Sequence, residues 1–332
     1  MMAPKPSERG AALLTVLMIV AAMSVAALAI TTTVTNATQR ARALDAQAQL
    51  ALYAVSAEEV AKARMVDVLG PLENRLHSDL PGLGEPQIIP VNEGVFRVVA
   101  RDVTNCFDVN RLTKPSGEGD LIADPNAQAA YQDLLSATIE EGYESDMVAL
   151  VSSLTDWMDE NSVPGSGGAE DSYYLSETPS YRTSSQKLDS LEELRGVRGY
   201  NLDVLSRILP ILCALPAEAD SANRKLNINT LEEYHAPLLR SVFTDALSIE
   251  DARTLIVTRP QGGWTDTQAL LEDPIVQRID PARIKTDQLG LVSSLIEVSA
   301  NVSYRGYDMT MRYLFEAIPG RPIRTLRRER VG

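Results

Sequence analysis

Residues 8–42 read "ERGAALLTVLMIVAAMSVAALAITTTVTNATQRAR", and the fold turns on what this stretch is for. From Gly10 to Gln39 it carries no charge, with Glu8 and Arg9 before it and Arg40 and Arg42 after it. As a helix rising 1.5 Å per residue, the run spans roughly 45 Å, more than the ~30 Å hydrocarbon core of a bilayer. The apolar region of a secretory signal is typically about 7–15 residues, so the run is long for a segment to be discarded. Two cut sites compete. Ala27-Leu28-Ala29 is a small-x-small pattern that would release a soluble protein beginning at Ile30. Gly10 separates a short charged leader from the apolar run, and a cut between Gly10 and Ala11 would leave the helix on the mature chain.

The helical pattern continues beyond membrane depth. Residues 35–69 are alanine-rich and contain neither Gly nor Pro, and Leu44, Ala48, Leu52, Val55, Val60 and Ala63 recur near helical spacing. Gly70-Pro71 marks the end. A helix from Ala11 to Leu69 would be roughly 90 Å long, apolar in its first half and amphipathic in its second. A plain anchor has no need of that continuation, whereas a stem that packs on a globular sheet does.

The rest of the chain divides by pattern. Residues 86–104 alternate apolar and polar around Asn92-Glu93-Gly94, which predicts a hairpin, and 291–318 predict two longer strands joined at Arg305-Gly306-Tyr307-Asp308. The residues between are mostly helical in pattern, with candidate helices over 125–141, 145–159, 190–195, 201–213, 230–243, 248–257 and 266–271. The fold class is therefore α+β, with a large all-helical domain (105–290) inserted into a small antiparallel sheet. Its two parts are expected at about 105–220 and 221–290. The final segment, 319–332, with five arginines against one glutamate in "RPIRTLRRER", reads as a basic flexible tail.

Composition narrows the function. A net charge of −14 and a pI near 4.7 argue against nucleic acid as a partner, because phosphate repels such a surface. "GVRG" (196–199) is similar to the hairpin of helix-hairpin-helix DNA-binding modules, but those need basic surroundings, and a helix-packing SAM-like turn fits this acidic domain better. There is no GxSxG, P-loop, HExxH or dinucleotide-binding glycine pattern, and His77 and His235 lie far apart, so catalysis is not expected. Lys5 and Arg9 orient the helix with its leader in the cytoplasm, which delivers the body to an oxidising compartment. Cys106 and Cys213, the two cysteines, point there to one disulfide, against two buried free thiols.

Taken together, "DVTNCFDVNRL" (102–112), "LTDWMDENSVPGSGGAEDSYY" (154–174), "LDSLEELRGVRG" (188–199), "LNINT" (226–230) and "RPQGGW" (259–264) resemble the K-class minor pseudopilins of type II secretion (general secretion pathway protein K) over nearly the whole mature chain. The resemblance extends to "SERGAALL", which is similar to a prepilin-peptidase site. It extends also to Thr15, at the fifth mature position, where most pilins carry a glutamate and the K class does not. It implies a pilin-like fold: leader 1–10, transmembrane and filament-core helix 11–34, stem helix and first strands 35–104, inserted SAM-like domain 105–290, and closing strands 291–318. It also implies a structural subunit at the tip of a periplasmic filament. The implied partners are the I and J minor pseudopilins, other pseudopilins, the prepilin peptidase and the inner membrane of a Gram-negative cell, with the body in the periplasm. A membrane-anchored or secreted helix-hairpin-helix DNA-uptake protein is the competing reading, and its basic face is missing from the sequence.

The acidic stretch after residue 154 raises a metal question. Asp156, Asp159, Asn161, Glu170 and Asp171 flank a Gly/Ser/Pro loop able to gather oxygens, and calcium takes six to eight of them. The spacing is not that of an EF-hand, and an exposed acidic loop is the plain alternative. The resemblance favours calcium, with Asp159, Glu170 and Asp171 foremost and Asp156 alternatively orienting the loop while Trp157 packs in the core. One expectation follows from the first stretch alone. The mature chain begins at Ala11, and Gly10→Val leaves a precursor longer by the leader. Intact-mass analysis or N-terminal sequencing reads this directly, and Ile30 as first residue would overturn it.

Overall fold

The computed structural model describes residues 6–73, 75–91, 94–139, 146–219, 224–244 and 246–331, with 6–11 described as backbone only. Helix α1 (Pro6–Leu72) is continuous over 67 residues, roughly 100 Å. Pro71 sits in its last turn, and Glu73, at φ 49°, turns the chain away and donates its amide to the Gly70 carbonyl. Along the first half the large apolar side chains from Leu13 to Val34 are all exposed. The hydroxyls there are satisfied within the helix: Ser24 donates to Val20 O, Thr31 to Ala27 O and Thr38 to Val34 O. A helix that closes its own polar groups is suited to lipid.

Five antiparallel strands form one sheet: β1 (Gln87–Val91), β2 (Gly94–Asp102), β3 (Leu295–Tyr304), β4 (Tyr307–Glu316) and β5 (Arg324–Val331), in that spatial order. Pro90 lies on β1, an edge where a missing amide does no harm. The predicted hairpins are both present, with Asn92 and Glu93 of the first turn outside the described residues. The expected flexible tail is instead the edge strand β5, paired from Thr310↔Val331 to Glu316↔Arg324. Three of its arginines, Arg324, Arg327 and Arg328, meet acceptors outside β5. Arg324 pairs with Glu316, Arg327 donates to Ala214 O, and Arg328 reaches Glu58 on the stem. A basic composition therefore concealed a fixed strand.

The stem packs on this sheet through Ala46, Leu50, Ala54, Ala57, Met65 and Leu69, with the partly buried Ala61 between Ala57 and Met65, spaced by threes and fours. The small side chains let the sheet approach, and Tyr53 meets Phe96 and Tyr304 edge-on across the contact. Tyr313 donates its hydroxyl to Ala54 O at 2.7 Å. The stripe most conspicuous in the sequence lies outside this interface: Leu44, Leu52 and Val55 are each more than 60% exposed.

Between β2 and β3 the chain builds two further cores. The first packs α2 (Pro125–Thr138), α3 (Met147–Met158) and α5 (Leu202–Ile208), with the short α4 (Asp171–Tyr174) on its side. The second packs α6 (Ala236–Val242), α7 (Ile249–Val257) and α8 (Thr267–Leu271) around Phe243 and Trp264. The helix expected over 230–243 starts only at Ala236, because Thr230–His235 are drawn into polar contacts and a 3-10 turn.

One ion pair ties the sheet edge to the stem. Glu58 is 4% exposed and accepts from Arg328 Nε and Nη2, from Thr325 Oγ1 at 2.6 Å and from Lys62 at 2.9 Å. Arg328 foremost holds its carboxyl down at about 2. Glu58→Gln is expected to lower stability at pH 7 by about 1–2 kcal/mol, less than for a fully buried pair because Arg328 is largely solvated. Because the folded pKa lies below the ordinary 4.5, this contribution is complete above pH 4.5 and is lost as pH falls toward about 2. Denaturation at a series of pH values checks it: the acid-side loss should be smaller in the variant.

Candidate functional site

The acidic stretch folds against the end of α3. Asp156 lies in the last turn of that helix and Asp159 caps it, its amide donating to Thr155 O. The loop then doubles back along the helix, so that Gly165 N donates to both oxygens of Asp156 at 3.1 Å. Gly168 lies so close that a Cβ there would fall 2.0 Å from Asp156 Oδ2, a space that only glycine can leave free. The chain enters α4 after Ala169 and Glu170, both buried. Arg198 of "GVRG" donates to Gly168 O at 3.1 Å and its guanidinium covers the Tyr173 ring at 4.7 Å. The glycine hairpin thus serves as packing for this loop, with Gly196 against Trp157.

Three carboxylates, Asp156, Asp159 and Glu170, are each no more than 4% exposed. Burial and then the charge of Asp156 push Asp159 up to about 6; burial and then Asp156 and Asp159 push Glu170 up to about 7. Burial also raises Asp156, against the amides of Gly165 and Ala169. Asp159 Oδ1 and Glu170 Oε1 are buried with no hydrogen-bond partner. Such oxygens are costly unless something positive or a proton reaches them. Among the described residues no three His, Cys, Asp or Glu side chains stand ready-made around one point. The donor set is nonetheless the hard, acceptor-only kind that suits a cation such as calcium, and its two uncommitted oxygens are what a cation would use.

The five sequence candidates therefore separate. Asp156, Asp159 and Glu170 are buried within electrostatic reach of one another. Asn161 stands beside them, donating to Asp159 Oδ2 at 2.8 Å and accepting from Val163 N at 2.7 Å. Asp171, expected among the foremost ligands, is occupied elsewhere: it accepts from Thr183 N and Oγ1, both at 3.0 Å, and pairs with Arg182 at 2.6 Å. As the first residue of α4 it faces the 182–183 segment, which sequence spacing could not reveal. Gly10 and Ala11 lie in α1, and residues 1–5 of the leader are outside the described residues.

Cys106 and Cys213 are disulfide-bonded, with the short parallel pairing Phe107–Asp108 with Leu212–Cys213 beside them. Two buried residues that sequence reading had not singled out organise this neck. Asp108 Oδ1 accepts from Asn110 N and Leu215 N, while Asn110 donates to Leu188 O and Leu215 O and accepts from Leu188 N. Both stand in "DVNRL", so their only sequence signal was membership of a quoted motif.

Comparison with known proteins bears on all of this. The family described as type II secretion system (T2SS), protein K matches residues 105–217 with one model and 226–291 with a second. The type II secretion system protein K of Pectobacterium carotovorum subsp. carotovorum is 30% identical across 98% of this chain and 97% of its own length. That of Aeromonas hydrophila is 32% identical across 80% of each. The crystal structure of the GspK–GspI–GspJ complex from the enterotoxigenic Escherichia coli type 2 secretion system contains a chain that superposes with a TM-score of 0.72 at 26% identity, covering 88% of this chain and 99% of that one. With the long apolar helix, the pilin-like sheet and the helical insertion, these matches place the chain in the type II secretion system protein K family, as a minor pseudopilin and a structural rather than catalytic component.

Proposed function

We propose that this chain caps the tip of the periplasmic pseudopilus, where it starts filament assembly, limits further growth and so serves the export of folded proteins. The observation that carries this reading is the two-faced stem. One face of α1 is buried on the sheet, while Leu44, Leu52, Val55 and Val66 lie exposed on α1 beyond the apolar first half. An exposed apolar stripe at helical spacing is a seat for other helices. The insertion supports a terminal place, since a helical filament grows by repeated heterologous contacts and so bulky a head obstructs the next subunit. Thr15 supports it too. Its hydroxyl donates to Ala12 O within its own helix, and at the fifth mature position it offers no carboxylate to a neighbour's terminal amine. The I and J minor pseudopilins are the partners on this reading, since a related chain forms a complex with both. The other pseudopilins follow below them, after the prepilin peptidase has cut at Gly10. The apolar helix anchors the precursor in the inner membrane with the body in the periplasm. Full-length protein in detergent is expected to co-purify with I and J at equal stoichiometry, and Leu52→Glu with Val55→Glu to weaken that association at least tenfold. Absence of association with either partner would overturn the reading.

We infer further that calcium belongs to the acidic site. Asp159 and Glu170 would hold it, Asp156 would shape the loop, and Asn161 would orient Asp159. The ion would neutralise buried charge and staple the first helical core. In metal-free protein the raised folded pKa values of Glu170 and Asp159 favour the fold at low pH, and that contribution disappears as pH rises through about 6 and about 7. Calcium should therefore raise the melting midpoint over the chelated protein, more at pH 8 than at pH 5, because ligation requires the protons to leave. Glu170→Gln should abolish the difference. Equal midpoints with and without chelator, and no metal in the purified protein, would overturn the assignment.

A further inference from the structure

Three quoted motifs have no part in the acidic site: "DVTN" (102–105), "LNINT" (226–230) and "RPQGGW" (259–264). In space they meet where the sheet, the end of the stem and the second helical core adjoin. Asp102, the last residue of β2, lies at the centre. Its Oδ2 accepts from Thr230 Oγ1 at 2.5 Å, Ser293 Oγ at 2.5 Å and Asn227 Nδ2 at 3.4 Å, while Oδ1 accepts from Thr104 N at 2.9 Å. The donors are themselves tied together. Asn227 Nδ2 also donates to Ser293 Oγ, and Asn105 Nδ2 to Thr230 Oγ1. Both hydroxyls accept from an amide and must pass their own hydrogen to Asp102. Only an acceptor fits there.

The same segment grips residues 76–79, just beyond the end of the stem. Asn227 Nδ2 lies 3.3 Å from Leu76 O, and Ser78 N donates to Asn229 O at 3.0 Å. Arg259 donates to Ile228 O and Leu231 O and reaches Ser78 Oγ at 2.5 Å, and Gly262 N donates to Asp79 Oδ2 at 2.9 Å. Asn229 exchanges two bonds with the Trp264 backbone, and Gly263, at φ 82°, passes so close that a Cβ would come within 2.5 Å of the Asn229 side chain. Asn227 and Ser293 are wholly buried.

We propose that these motifs form one buried polar joint that fixes the second helical core at a single angle on the sheet and on the segment that follows the stem, with Asp102 as its positioning residue. Apolar contact alone tolerates sliding, since it has no direction. A network of directional hydrogen bonds between buried groups does not, because a shift leaves donors unpaired in a medium where that is costly. The joint thus supplies what burial cannot, a defined orientation of the insertion. It does so whatever the place of the subunit in a filament.

Asp102→Asn tests this, since it keeps size and shape but turns an amide toward donors. In full-length protein in detergent, spin labels at Val66 on the stem and Val257 on α7, both exposed, report the angle. The wild type should give one narrow distance distribution, and Asp102→Asn a distribution at least twice as broad. Amide exchange should accelerate at least tenfold at Ser78, Asn227 and Trp264, while amides within α7 and in the centre of β3 keep their protection. Ser78→Ala with Asp79→Ala, on exposed residues after the stem, should broaden the distribution without altering exchange in the sheet. An unchanged distribution in Asp102→Asn, or loss of protection throughout the sheet and α7 together, would overturn the proposal: the first shows no positioning role, the second only a general structural one.

Discussion

Strands β2 and β3 are hydrogen-bonded neighbours from Gly94↔Tyr304 to Asp102↔Ile296, yet the chain leaves the sheet after the one and returns only at the other. Every other feature of the insertion depends on this constraint, because two helical cores must be built between ends held one strand spacing apart. The neck is closed at once: Val103 N donates to Leu295 O, and Thr104 Oγ1 accepts from Ser294 N and Leu295 N. Loop-closure entropy grows only slowly with length, so a long excursion from a hairpin is thermodynamically tolerable once its ends are pinned. The Cys106–Cys213 bond closes the first half again across 107 residues, and chain-entropy reasoning assigns such a loop about 4–5 kcal/mol as an upper value.

Charge is distributed to match. A strongly acidic chain keeps its arginines where they hold elements together, as Arg328 does on Glu58, Arg324 on Glu316 and Arg198 over the acidic loop. Among the described residues Asp156, Asp159 and Glu170 have no such arginine partner, and burial raises their pKa values, while Arg328 lowers that of Glu58. The two outcomes follow from one rule: a buried carboxylate takes a cation, a hydrogen-bond donor or a proton.

What the sequence by itself determined was the local and the periodic. The apolar run, the long helix, both hairpins and most helix positions in the insertion were legible, because each depends on residues a few places apart. Family membership was legible as well, through motifs whose structural reasons were hidden. What only the tertiary structure decided involved partners remote in the chain. The stem buries Ala46, Leu50, Ala54 and Ala57 rather than Leu44, Leu52 and Val55, since the sheet lies on the face where alanines let its strands approach. Residues 324–331 pair along β4 as a strand, and Glu58, Glu316 and Ala214 accept their side chains. Asp171 turned to Thr183 and Arg182 while its neighbour Glu170 was buried. Asp102 gathered donors from beyond residue 225, and no periodicity within a strand or helix could announce a joint assembled from the segment after the stem, the sheet and the insertion together.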